Sequence, residues 1–161
     1  MKTPDIAFRK HDHGRCQREL LSEARRVCEQ RNLRLTERRR QVLEILLASH
    51  QPLGAYDILA EMNRGEGADR IAPPIVYRAL DFLLEEGLAH RIECRNAYVG
   101  CIEPGHQAAA HFLICRDCER VAELENPDLG LLEQADDIGF TVDSAIIEMT
   151  GVCAECRAHV D

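Results

Sequence analysis

Cys115-Arg116-Asp117-Cys118 and Cys153-Ala154-Glu155-Cys156 are two CxxC pairs with 34 residues between them. Each places two thiolates on a tight turn, and two such turns meeting make the tetrahedral four-sulfur shell that zinc accepts. The spacing therefore predicts a structural zinc site at Cys115, Cys118, Cys153 and Cys156. The competing chemistry is a redox dithiol. A thioredoxin-like site puts its single CxxC at a strand-to-helix junction, whereas here both pairs flank predicted strands and no helix is expected directly after them. A zinc deaminase is excluded because no HxE precedes a PCxxC motif. With neither a general base beside an open metal position nor a nucleophile with an orienting partner, an enzyme is not expected.

A second group, His90, Cys101, His106, His111 and Glu123, lies where the chain changes character. Mixed nitrogen, sulfur and oxygen ligands at a domain boundary couple metal occupancy to the angle between domains. The blander reading makes His106 and His111 solvated, Cys101 a small buried hydrophobe and Glu123 a surface acid. Cys16, Cys28 and Cys94 have no partner at useful spacing and read as structural. His11 and His13 read as part of a solvated polar head over residues 1–15.

The 161 residues are 45% hydrophobic, enough for a core, and carry a net charge of -8. That total excludes a uniformly basic nucleic-acid coat, but it is unevenly spread: +5 over residues 1–50, -3 over 51–100 and -10 over 101–161. Arg38-Arg39-Arg40, with Arg25, Arg26, Arg31 and Arg34 upstream, gives the N-terminal end the charge that phosphate contacts need. The chain lacks both an apolar leader and a run of about 18 apolar residues, so a cytoplasmic protein without membrane contact is expected. In a reducing compartment its eight cysteines point to metal rather than disulfides.

These residues need elements to hold them. Apolar spacing predicts helices over Gln17–Arg31, from Thr36 (capped by its hydroxyl) to about His50–Pro52, over Gly54–Met62 with Tyr56, Leu59 and Met62 inward, and from Pro73-Pro74 to Gly87. On the last, Val76, Ala79, Leu80 and Leu83 share one face, leaving Tyr77, Arg78, Asp81 and Glu85 for a partner. Arg78 is placed to read a guanine edge and Tyr77 a phosphate or thymine methyl, unless Arg78 merely pairs with Asp81. Two short strands within Ala89–Cys101, joined by Arg95-Asn96-Ala97, complete a winged helix-turn-helix plan. Beyond it, His111–Cys115, Arg120–Leu124 and Phe140–Met149 read as strands, with a helix from Asn126-Pro127 to Ile138. The fold class is α+β, with a winged-helix domain over 1–103 and a zinc-stapled α/β domain over 104–161. A unit of about 55 residues ordinarily needs such a staple.

Leu35-Thr36-Glu37-Arg38-Arg39, the run Ala72-Pro73-Pro74-Ile75-Val76-Tyr77-Arg78-Ala79-Leu80 and both CxxC pairs together resemble the Fur family of metal-responsive repressors, within it the zinc-responsive branch. The resemblance implies a C-terminal dimerisation domain, a homodimer on inverted-repeat double-stranded operator DNA, and zinc that closes the hinge so that zinc uptake genes are repressed. It implies two zincs per chain, one structural and one regulatory, with no small-molecule substrate. It matches His90, Cys101, His106 and Glu123 to the regulatory ligands, with His111 as the alternative to His106, and puts Tyr77 and Arg78 on DNA-reading positions. A thiolate at Cys101 favours zinc over iron, and the iron regulator's HHxH run is reduced here to Ala109-Ala110-His111-Phe112. Iron, manganese or peroxide is the alternative signal; an enzyme or thiol oxidoreductase is a third.

Overall fold

The computed structural model of the protein describes residues 4–64, 69–105, 111–124 and 130–159. Helix α1 spans His13–Gln30 and buries Cys16, Leu20, Ala24, Val27 and Cys28, a stripe at helical spacing. It begins four residues before the predicted start because Asp12 caps it, its carboxylate accepting from the Arg15 backbone N–H at 3.0 Å. Over its described residues, from Pro4 onward, the polar head is docked and not a solvated tail. Pro4–Phe8 forms a 3-10 turn in which Ala7 is buried, and the Ala7 carbonyl accepts from Arg120 at 3.1 Å.

Helix α2, Glu37–Leu47, starts where predicted, but Thr36 makes no side-chain capping bond; Arg40 instead ties the first turns together through Glu37 and Glu44. Helix α3, Ala55–Met62, buries Ile58 and turns Tyr56 outward at 69% exposure, reversing the predicted phase at Tyr56. Helix α4, Pro73–Glu85, has prolines in its first turn, where no backbone N–H is missed, and buries Val76, Ala79, Leu80 and Leu83 as expected. Gly87 just past its end takes φ +66°, the left-handed conformation of a helix stop.

Strands β1, Ala89–Ile92, and β2, Ala97–Gly100, form the wing, antiparallel with His90 opposite Val99. Asn96, at φ 47°, makes the turn. Leu53 bonds to Tyr98 in both directions, at 2.9 and 2.8 Å, which fixes the wing to the residues before α3. Gly100 is packed so closely on α2 that a Cβ there would lie 2.4 Å from Leu47 Cδ2.

The C-terminal sheet has the order β4-β3-β5, from β3 (His111–Cys115), β4 (Val121–Leu124) and β5 (Ile147–Gly151). β3 runs antiparallel to β4 and parallel to β5. The predicted strand Phe140–Met149 is thus corrected to a shorter, later one. Residues 140–146 have no ladder partner among the described residues, and Phe140 and Ile146 face solvent. The helix predicted to Ile138 is observed as α5, Leu131–Asp137; its expected start at Asn126-Pro127 lies outside the described residues. A four-residue helix α6, Ala154–Arg157, follows β5, with Cys153 as its cap. One cysteine pair therefore does sit at a strand-to-helix junction, and that argument against a redox dithiol falls.

One apolar core unites the four N-terminal helices with the wing. A second, of Ile92, Val99, Phe112, Ile114 and Val121, joins the wing to the C-terminal sheet. The segment after β2 stays on the N-terminal side: Cys101 and Gly105 donate backbone bonds to Leu88 and Gly87 at 3.0 and 2.9 Å. The predicted boundary at 103/104 falls inside that segment.

Candidate metal centres and nucleic-acid interface

The four paired cysteines converge, with sulfur atoms all within 4.8 Å of one another. Cys118 Sγ and Cys153 Sγ are 3.9 Å apart, close to the edge of about 3.8 Å that Zn–S bonds of about 2.3 Å imply for a tetrahedron. Donors converge on three of these sulfurs, while the hydrogen bond with Cys153 and then burial push the Cys156 thiol up to about 12. Backbone N–H groups of Cys153 and Cys156 donate to Cys115 Sγ and Cys153 Sγ at 3.4 and 3.5 Å, and Arg120 Nε to Cys118 Sγ at 3.3 Å. Burial pushes the Cys115 thiol up, but backbone donors at Cys118, Cys153 and Asp117 outweigh it and bring its pKa to about 6. With these sulfurs gathered, the redox alternative is disfavoured on geometry rather than on the missing helix.

At the domain junction, β1 supplies His90, the end of the wing Cys101, and β4 Glu123, with one ligand atom of each within 4.8 Å of the others. Cys101 Sγ lies 3.7 Å from Glu123 Oε2. His90 Nε2 is 3.1 Å from Glu123 Oε1, yet this buried nitrogen makes no hydrogen bond among the described residues. Burial first, and then the Glu123 carboxylate, push the Cys101 thiol well above its ordinary pKa. A buried imidazole nitrogen without a hydrogen-bond partner, a carboxylate and a thiol facing one another suit a divalent cation, because bare polar groups are costly to bury.

The two candidates for a further ligand part ways. Glu123 pairs with Phe112 across β3 and β4, so it shares that residue's face of the sheet. Strand alternation then turns His111 to the opposite face. His111 is buried there with Nδ1 lacking a hydrogen bond among the described residues, and it does not join His90, Cys101 and Glu123. His106 lies outside the described residues.

On α4, Tyr77, Arg78, Asp81 and Glu85 are all exposed. Arg38, also exposed, reaches Gln41 at 3.0 Å. Arg39 is partly committed elsewhere, its guanidinium stacked 3.7 Å above the Phe82 ring, and Arg40 is paired with Glu37 and Glu44. Tyr56, missed by the helical phase, adds an exposed phenol on the helix that precedes α4. Also missed is His50, which the fold brings against His11 and His13, with Nε2 of His50 3.3 Å from Nε2 of His11.

The profile of the ferric uptake regulator family matches residues 30–150. The zinc uptake regulation protein of Escherichia coli (strain K12) is 39% identical over 143 residues, 86% of this chain and 81% of that protein. A zinc uptake regulator solved in complex with zinc and DNA superposes with a TM-score of 0.77 at 35% identity, covering 89% of this chain and 96% of that one. Holo XcZur gives 0.76 at 38% identity, covering 88% and 99%. Apo XcZur gives only 0.55 at 36% identity, covering 89% and 99%. At nearly equal identity and coverage, this chain's overall arrangement is thus nearer to the holo form. With the family profile spanning most of its length and a relative this similar across four-fifths of that relative's own sequence, the chain belongs to the ferric uptake regulator family.

Proposed function

We propose that this protein is a zinc-sensing transcriptional repressor, a cytoplasmic homodimer that binds inverted-repeat operator DNA when zinc is present and represses zinc uptake genes. The observation that carries the reading is Cys101 beside His90 and Glu123 at the junction of the two domains. Its thiol selects zinc over harder ions, and its neighbours come from both sides of the hinge. His106 completes this set as the fourth ligand; His111 is turned to the other face of the sheet. With the four-cysteine site, the chain then holds a structural and a regulatory zinc.

Zinc supplies the hinge with a divalent charge that its donors share. The chain's own residues do the rest. His90 and Cys101 fix the wing, Glu123 fixes the sheet, and bringing them together sets the angle at which α4 is presented. Metal and DNA then raise each other's affinity by the same factor. Tyr77 and Arg78 read the groove, Arg38 binds phosphate, and Arg39 and Arg40 contribute charge at the rim.

Support for the dimer is an apolar surface. Leu131, Leu132, Ile138, Phe140 and Ile146 are exposed on the C-terminal domain, large apolar side chains of the kind that a subunit interface covers. No helix among the described residues is long and apolar enough to cross a membrane. A labelled inverted-repeat duplex titrated with protein tests the function. Affinity should rise with zinc and stay unchanged with iron(II) or manganese(II). Binding that ignores zinc, or that follows iron or manganese instead, would overturn the reading.

A further inference from the structure

We propose that His11, His13, Cys16 and His50 form a third metal site, which takes zinc and fastens the N-terminal arm to both domains. Four donors come together from three places: the segment before α1, the first turn of α1, and the residues after α2. One ligand atom of each lies within 4.8 Å of the others. Three imidazoles and a thiolate make a borderline-soft set of the kind zinc prefers.

Tautomer assignment from the hydrogen bonds points to a cation. His11 Nδ1 is 2.9 Å from the Arg9 carbonyl, so it carries the proton and donates there. His13 Nε2 is 3.1 Å from the Leu47 carbonyl and does the same. In the neutral rings this leaves two bare lone pairs, on His11 Nε2 and His13 Nδ1, facing each other at 3.1 Å. A hydrogen between them would require one ring to be protonated twice, and the third imidazole, His50, stands 3.3 Å from the same His11 nitrogen. Each backbone carbonyl that accepts from His11 or His13 plays the part of the outer partner that orients a metal-bound imidazole. The spacing agrees: Zn–N bonds of about 2.0–2.1 Å give tetrahedral edges of about 3.3–3.4 Å. Cys16, three residues along α1 from His13, lies on the same helix face and is buried.

The site's position gives it a consequence. The His50 carbonyl accepts from Val121 N at 2.9 Å, Gln51 donates to the Cys118 carbonyl at 2.9 Å, and Arg120 joins Ala7 to Cys118. A metal on His50 and His11 therefore holds the arm and the end of α2 against β4, the strand that carries Glu123. This braces the same junction through donors other than those of the hinge site.

Metal analysis of the full-length protein saturated with zinc and then freed of excess tests the site. The wild type should hold one more zinc per chain than His11→Ala or His50→Ala, both at half-buried positions. Cys101→Ser should lose a different equivalent, so that Cys101→Ser with His50→Ala falls by two. Cobalt(II) substitution gives a second readout, since Cys16→Ser should remove part of the sulfur-to-metal charge-transfer absorption while His90→Ala leaves that part intact. Equal zinc content in the wild type, His11→Ala and His50→Ala would overturn the site. Zinc should also slow hydrogen exchange at the Val121 amide in Cys101→Ser but not in Cys101→Ser with His11→Ala; identical exchange in the two would overturn the domain tie.

Discussion

Val121 donates its backbone N–H to the carbonyl of His50 at 2.9 Å, joining the end of α2 to the strand that carries Glu123. The apolar cluster of Ile92, Val99, Phe112, Ile114 and Val121 crosses the same junction. The sensor residues thus sit on a packed interface whose two sides must move as units. Phe112 is fully buried in that cluster, its ring 5.4 Å from the His90 ring. Phe112→Ala should cost about 3–5 kcal/mol by leaving a cavity. Urea unfolding of the zinc-saturated protein checks this, and a loss below about 1 kcal/mol would mean that the junction repacks freely.

The four-cysteine site should behave as a staple. Cys153→Ser, or stringent chelation, should unfold the C-terminal domain and take the dimer with it, because metal binding there is folding free energy. Circular dichroism and sedimentation report the two losses together. A chelated protein that keeps both its strand signal and its dimer would show that the sheet is stable without the staple.

Arg78→Ala should weaken binding to an operator far more than to random duplex. A bidentate guanine contact discriminates by about 1–3 kcal/mol, a loss of about 5- to 150-fold confined to the specific site. Equal losses on both duplexes would reduce Arg78 to a phosphate contact. Arg40→Ala should differ, costing some helix stability as well, since Arg40 bridges Glu37 and Glu44.

Ile138, 82% exposed just past α5, and Phe140, 62% exposed, are the natural positions to break the dimer. Ile138→Glu or Phe140→Asp should yield a folded monomer by sedimentation and lose operator affinity with it. A stable dimer in both variants would place the interface elsewhere.

What could be read from the residues depended on distance along the chain. The CxxC pairs announce themselves because each is a local turn, and the outer face of α4 follows from helical phase over a few residues. The histidine site does not, since His50 and His11 are 39 residues apart and only the docking of the arm unites them. That docking was hidden because the Asp12 cap lies in a polar stretch that resembles a tail. The orientation of His111 follows from the register of β3 with β4, which no local pattern states. Phe140–Met149 has the composition of a strand, yet its first residues face outward as interface candidates, and composition does not distinguish a ladder from an interface.

The most direct test of the central claim is zinc-dependent operator binding by Cys101→Ser, followed by fluorescence anisotropy at fixed salt, with sedimentation to confirm an intact dimer. The expected result is a folded dimer that still holds its structural zinc but whose operator affinity no longer rises when zinc is added. A Cys101→Ser dimer that tightens on the operator with the same zinc dependence as the wild type would contradict it.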